Sequence, residues 1–448
     1  MRENHKIQPT LAEPWLDAPH AKELKTVAGL LDDHPTIGER VAQDIGRAGG
    51  RPGMTGDQVF RVLILKQMNE FSYDELAFHL ADSRTYQRFC GFGLTDSIPK
   101  RSTLAENLKR VQAETLEAIG RDTALIASQR GIEKGRKVRV DSTVVETNIH
   151  EPSDSLLLWD CVRTMIRLMK EAVELGVENL VFADRSRRAK RRAHEIQRAK
   201  GARQRRQGYK DLLSVTAEVS RAAEAAVVRV EKHPASDMMT AARLGALSAE
   251  LTKVLMVTER VVDQTRRRVF DKEKVPAREK IVSIFEEHTD VIVKAPRQTE
   301  YGHKVFLTGG ASSMILDCVI AEGNPADSSM AVEMTDRQRE IFGRPPRQVA
   351  MDGGFASSPN VTTIKGLGVK DVAFHKRRGI DVADMAKSQW VFKRLRDFRA
   401  GIEACISFLK RAFGLSRCTW RSFPSFKSYV WSSIVSMNLL LIARHLLK

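Results

Sequence analysis

Three stretches of the sequence carry carboxylates in settings suited to chemistry. In "KVRVD" the residues alternate from Lys137 to Asp141, which predicts a strand with one apolar face. Asp141 falls in phase with the polar face, at the expected C-terminal end. In "RQVAMDGGF", Val349 and Met351 face one way and Gln348, Ala350 and Asp352 the other. Asp352 ends that strand too, and Gly353-Gly354 behind it allow another segment to approach closely. The third stretch is "RAGIEACISFLKR", Arg399 to Arg411. Placed on a helix at about 100° per residue, Ile402, Ile406, Leu409 and Phe413 form one stripe. Arg399, Glu403 and Lys410 border that stripe instead of opposing it. Arg399 and Glu403 are i,i+4 neighbours, and a plain surface ion pair is the simpler account of them.

Two strand-end aspartates and a glutamate overhanging from a helix rim, without competing His or Cys ligands, form a hard all-oxygen donor set. Such a set suits Mg²⁺, with Mn²⁺ as a substitute. Clustered carboxylates repel one another unless a cation compensates them. Two ions roughly 3.5–4 Å apart can activate a nucleophile and stabilise a leaving oxygen in phosphodiester cleavage. Asp141, Asp352 and Glu403 are thus both the candidate metal ligands and the candidate catalytic groups. Lys410 and Arg399 are placed to meet DNA phosphates or to orient Glu403.

The rest of the chain must position these residues. It has 448 residues and a formal net charge of +17, enough length for two or three domains and a surplus that points to a polyanion. Five scattered cysteines (Cys90, Cys161, Cys318, Cys405, Cys418), with no Cys-x-x-Cys, argue against a disulfide framework or a zinc site and fit a reducing compartment. The polar start from Met1 to Pro9 has no apolar leader behind it. Tyr429 to Leu447 is interrupted by serines, Asn438 and Arg444, and reads as a packed helix, not a membrane span. A cytoplasmic location and no membrane partner are expected.

Residues 1–53 read as a helical lead-in ending in a turn at 49–53, and residues 54–130 as compact helices. Capping boxes are expected at Thr55/Gln58, Ser72/Glu75 and Thr103/Glu106. This basic cluster, with Arg84, Arg88, Lys100, Arg101, Lys109 and Arg110, suits either a helix-turn-helix-like DNA reader or a packing domain. Residues 156–270 are largely helical by period. Within them, Arg185 to Lys210 hold twelve Lys or Arg and one acid, Glu195. An isolated helix carries such a run poorly, and a phosphate backbone would relieve it. Arg187, Arg188, Lys190, Arg191, Arg192, Arg203, Arg205 and Arg206 are therefore expected to form a DNA-contacting arm; a solvated charged face is the alternative. Strand patterns resume at "IVSIF", "DVIVKA", "HKVFLT", "MILDCVIA" and "DVAFHK", with a hairpin at Gly309–Ser312 and a helix from Ser328 to Phe342.

These motifs, in this order, resemble those of the DDE transposases of bacterial insertion sequences, most closely the ISNCY-like group. "VRVDSTVVETNIHEPSDS" is similar to the segment around the first catalytic Asp, and "VAMDGGFASSPN" to the second. The pattern Tyr-x2-Arg-x3-Glu-x6-Lys is met by Arg399, Glu403 and Lys410. The pattern's Tyr falls on Arg396, and Glu151 stands where an aromatic residue is usual. Glu146 is assigned at most a supporting role.

The resemblance implies a ribonuclease-H-like α/β domain, a mixed sheet flanked by helices, over residues 131–155 and 280–448. It also implies an all-helical N-terminal domain and a large helical insertion, 156–279, after the first catalytic strand. It implies metal-dependent cleavage at transposon ends, then strand transfer into target DNA. Double-stranded DNA with terminal inverted repeats and a homodimer on that DNA follow as partners. A related nuclease without strand transfer, or a dead DNA-binding derivative, would keep much of this sequence. No P-loop, dinucleotide fingerprint or zinc-protease pattern is present.

Overall fold

The computed structural model describes residues 15–46, 53–93, 95–295 and 298–448. The turn expected at 49–53 lies, but for Gly53, outside the described residues, as do the first fourteen residues. The chain divides into two units, Met1–Asn148 with Gly302–Lys448, and Ile149–Tyr301.

The first unit begins with helices α1 (Pro19–Asp32), α2 (Thr36–Ile45), α3 (Gly56–Met68), α4 (Tyr73–Asp82), α5 (Arg84–Phe89), α6 (Arg101–Arg110) and α7 (Ala113–Gln129). Two of the expected capping boxes form. Thr55 Oγ1 accepts from the Gln58 amide at 3.1 Å and Gln58 answers at 3.0 Å, and Ser72 and Glu75 do the same. The third does not: α6 starts at Arg101 with Lys100 at its N-cap, so Thr103 already lies inside the helix.

The strands are β1 (Lys137–Glu146), β2 (Asp290–Ala295), β3 (Gln298–Gly309), β4 (Ile315–Ile320), β5 (Gln348–Met351) and β6 (Asp371–Phe374). They form a mixed six-stranded sheet in the order β2-β3-β1-β5-β6, with β4 beside β3. β1, β5 and β6 are parallel, while β1–β3 and β3–β4 are antiparallel. "IVSIF" is not a strand. Its backbone is bonded instead by the Gln264 side chain, which accepts from Ile281 N at 2.8 Å and donates to Ile281 O at 3.2 Å.

Helices α12 (Asp327–Phe342), α13 (Ser358–Gly366), α14 (Val382–Met385), α15 (Gln389–Ala412) and α16 (Phe423–Leu446) complete sixteen among the described residues. α16 is long and apolar enough to cross a membrane by length and composition, yet 89% of its apolar window is buried. It packs on α1, α3, α7 and β4. Its polar residues bond to backbone inside that core. Asn438 pairs with both the N–H and the C=O of Ile315, at 3.0 and 2.7 Å, and Ser428 donates to Val111 O at 3.0 Å.

The second unit is built on α8 (Asp154–Glu174), α9 (Ser186–Arg198), α10 (Ala202–Lys232) and α11 (Met238–Val269), packed around Leu158, Met165, Leu212, Val219 and Leu251.

Candidate active site

β1 and β5 run parallel, and their last paired residues are Val140 and Met351. The next residue on each strand is the candidate carboxylate, so Asp141 and Asp352 emerge side by side. Asp141 is not at the strand's end, as the sequence pattern suggested. β1 continues to Glu146, but beyond Val140 β3 is the only strand paired with it, apart from an isolated bridge between Glu146 and Arg417. The short β5 leaves that edge of β1 open, and the opening holds the aspartates. Glu146 is five residues farther along, roughly 16 Å away and on the opposite face. It takes no part in this cluster.

The polar face of β1 does not face water; α15 covers it. Arg139 is 5% exposed. It donates to Phe398 O at 3.1 Å and lies 4.7 Å from the centre of the Phe398 ring. A side chain at Gly401 would collide with the Arg139 guanidinium, so the glycine sets how closely α15 approaches the strand. Ile402, Cys405 and Leu409 of α15 are buried as well, and Arg139 reaches the Cys405 sulfur at 3.5 Å.

This docking brings the third carboxylate over the other two. Arg399 Nη2 lies 2.7 Å from Asp141 Oδ2 and 3.5 Å from Asp352 Oδ1, while Nη1 lies 2.6 Å from Glu403 Oε1. The Arg399 and Asp141 side chains are nearly buried, whereas that of Glu403 is 65% exposed. Asp141 Oδ1 also accepts from Ser142 N at 2.9 Å. Burial pushes the Asp141 carboxyl up to about 6; Arg399 opposes that rise. Lys410, two turns farther on, donates to Val144 O at 3.0 Å. Arg396, where the pattern has Tyr, is part-exposed and 3.8 Å from Asp397.

The turn that carries Asp352 is fixed from two sides. A Cβ on Gly353 would lie 2.7 Å from Lys376 Cβ, and one on Gly354 would strike the Asp327 carboxylate. Asp327 is held by Lys304 at 2.7 Å and by the Ser142 hydroxyl at 3.1 Å. Sequence reasoning missed Arg139, Gly401, Asp327 and Lys304. The one local hint was a glycine two residues before Glu403.

Among the described residues, no group of three or more His, Cys, Asp or Glu stands close enough to hold a metal ion. The cation among the three carboxylates is the Arg399 guanidinium. The donor chemistry fits Mg²⁺ or Mn²⁺: every candidate ligand is a carboxylate, and Asp141 and Asp352 converge on one nitrogen.

The basic run of the second unit is helical, as its period predicts. It breaks between α9 and α10, which pack on each other. Arg188 and Arg192 both reach Asp211 on α10, and Arg185 meets Glu218 at 2.8 Å. These acids relieve the repulsion read from the sequence. Arg187, Lys190, Arg191, Arg203, Arg205 and Arg206 remain exposed.

Two family profiles match the chain: "Transposase domain (DUF772)" over residues 13–110 and "Transposase DDE domain" over residues 259–439. The chain belongs to the DDE transposases of insertion sequences. The DDE match contains Asp352, Arg399, Glu403 and Lys410; Asp141 lies between the two matched segments. No curated protein and no solved structure matches.

Proposed function

We propose that this transposase cuts DNA at the ends of its insertion sequence and joins the freed ends to target DNA, with Asp141, Asp352 and Glu403 as its catalytic carboxylates. The observation that carries the reading is the Arg399 guanidinium, which gathers carboxylates from two strands and a helix. A ribonuclease-H-like catalytic domain over 131–155 and 280–448, of the ISNCY-like kind, accords with parallel β1 and β5 presenting Asp141 and Asp352 side by side and with α15 carrying Glu403. The helices of 54–130 and the exposed arginines of α9 and α10 are assigned to DNA, with the insertion 156–279 as a domain of its own. A homodimer on DNA would bring two ends together, in a cytoplasmic, nucleoid-associated enzyme.

Asp141, Asp352 and Glu403 would hold one or two Mg²⁺ or Mn²⁺ ions, which when bound supply nucleophile activation and stabilisation of the leaving oxygen. The residues of the chain do the rest. Before loading, Arg399 offsets the mutual repulsion of the carboxylates. Arg139 and Gly401 fix the height of Glu403 above the strands, and the Gly353-Gly354 turn fixes Asp352. In the first reaction water bonds to phosphorus and the bond to the 3′ oxygen at the element end breaks. In the second, that 3′-OH bonds to a target phosphorus and displaces its 3′ oxygen. No covalent enzyme intermediate is needed.

The test is incubation of labelled DNA bearing the element's own ends with Mg²⁺, Mn²⁺ or EDTA. Nicked and joined products with either metal and none with EDTA support the reading. Nicking without joining identifies a nuclease instead. Binding without any metal-dependent chemistry identifies a DNA-binding derivative.

A further inference from the structure

Within the first unit, a cleft of about 670 Å³ opens between the end of α3, the start of α4 and the segment after α15. Lys66 lines it. The residue is only 6% exposed, and among the described residues no carboxylate comes within 4 Å of its ammonium. Its nearest aromatic partner is the Tyr73 ring, 5.2 Å away. A buried, unpaired charge is costly to hold. A lysine can lessen that cost by burying its stem and aiming its ammonium at open space. Here the open space is this cleft.

The position is rigid. Gln67, the next residue, donates to Phe413 O at 2.6 Å and lies 2.8 Å from Ser433 Oγ, which ties α3 to the end of α15 and to α16. Tyr429 donates to Gly414 O at 2.8 Å on the same wall. Lys410, Arg417 and Arg101 line the cleft with Lys66, and Tyr73 and Trp420 give it flat apolar walls. Its acids are largely engaged. Asp74 pairs with Arg101 at 3.0 Å, and Glu75 accepts from Ser72 N at 2.7 Å; Glu70 stands exposed. The indole N–H of Trp420 is buried without a partner. Cations at fixed positions beside flat aromatic faces suit a phosphodiester with its sugar and base. Lys410 follows Glu403 by seven residues on one helix, a rise of roughly 10 Å, or about three nucleotide steps of a duplex.

We propose that this cleft grips the sugar–phosphate backbone of the DNA strand under reaction, and that Lys66, from the N-terminal helical region, is a phosphate-binding residue of it. This rests on the function proposed above for the partner's identity. A fluorescein-labelled duplex from the element's end is titrated over a salt series with wild type, Lys66→Met, Lys66→Arg and Arg101→Gln, and thermal midpoints are recorded. Lys66→Met is expected to weaken binding about tenfold and to lower the salt slope by about one, with a thermal midpoint no lower than wild type. Lys66→Arg keeps the slope, and the exposed Arg101→Gln weakens binding without touching the core. Wild-type affinity and slope in Lys66→Met would overturn the role of Lys66, and the same result in both Lys66→Met and Arg101→Gln would overturn the cleft. Metal-dependent cleavage of the same duplex by wild type is read in parallel. An active wild type beside unaffected variants removes the cleft alone. An inactive wild type with weakened variants removes the proposed chemistry and supports the cleft.

Discussion

Arg399 and Asp141 meet at 2.7 Å although 258 positions separate them in the chain. The pair joins α15 to the open edge of β1, and the same guanidinium holds Glu403. Removing Arg399 leaves a nearly buried carboxylate without its cation. Arg399→Ala is expected to lower stability by about 1–3 kcal/mol at pH 7. Adding Asp141→Asn should restore part of that loss, because the burial penalty then falls on a neutral group. Urea denaturation of both single variants and the double variant measures the coupling, expected at about 0.5–3 kcal/mol. Strictly additive losses would mean the contact contributes nothing.

Gly401 controls the height of the helix over the strand. Gly401→Val should force α15 away from Arg139 and displace Glu403 with it. A shift on the order of 1 Å is enough to lower cleavage about 10²-fold while DNA binding persists. Single-turnover cleavage beside a binding titration checks this.

Lys66 carries a pH signature. Burial pushes its ammonium down to about 8 from 10.5, with Cys418 and Glu75 opposing. Between those values the unfolded chain binds more protons than the folded one, so stability rises with pH across that window. The charged form costs the fold at most about 3 kcal/mol below pH 8, and that cost vanishes above 10.5. Lys66→Met should therefore gain on wild type at pH 7 and lose the advantage by pH 10.5. Paired denaturation curves at several pH values read the gap directly.

The exposed and the tied arginines of α9 should behave differently. Arg187→Gln with Arg191→Gln should weaken DNA binding alike for all sequences and reduce the salt slope, with stability nearly unchanged. Arg188→Gln with Arg192→Gln strands Asp211 and should also loosen α9 from α10. Binding across a salt series and thermal midpoints separate the two pairs.

Much of this arrangement was legible in the sequence because it is local. Alternation located β1 and β5, glycines flagged the turn after Asp352, and helical period put Glu403 beside the buried stripe. Long-range pairing was not legible. Nothing near Asp141 announces that β5 stops one residue short of it, so a mid-strand residue reads as a strand end. "IVSIF" has strand composition, but Gln264 supplies its backbone bonds from another helix. The acids that offset the basic run, Asp211 and Glu218, could not be paired with it from its own residues, because they lie on the next helix.

The proposed function requires Asp141, Asp352 and Glu403 to act as one catalytic site. The most direct measurement is single-turnover cleavage of end-bearing DNA by Asp141→Asn, Asp352→Asn and Glu403→Gln, with folding and DNA affinity measured on the same samples. A loss on the order of 10³-fold or more is expected in each variant, with binding and fold retained. Wild-type cleavage in any one folded variant would contradict that requirement, and for Glu403 would leave only an ion pair with Arg399.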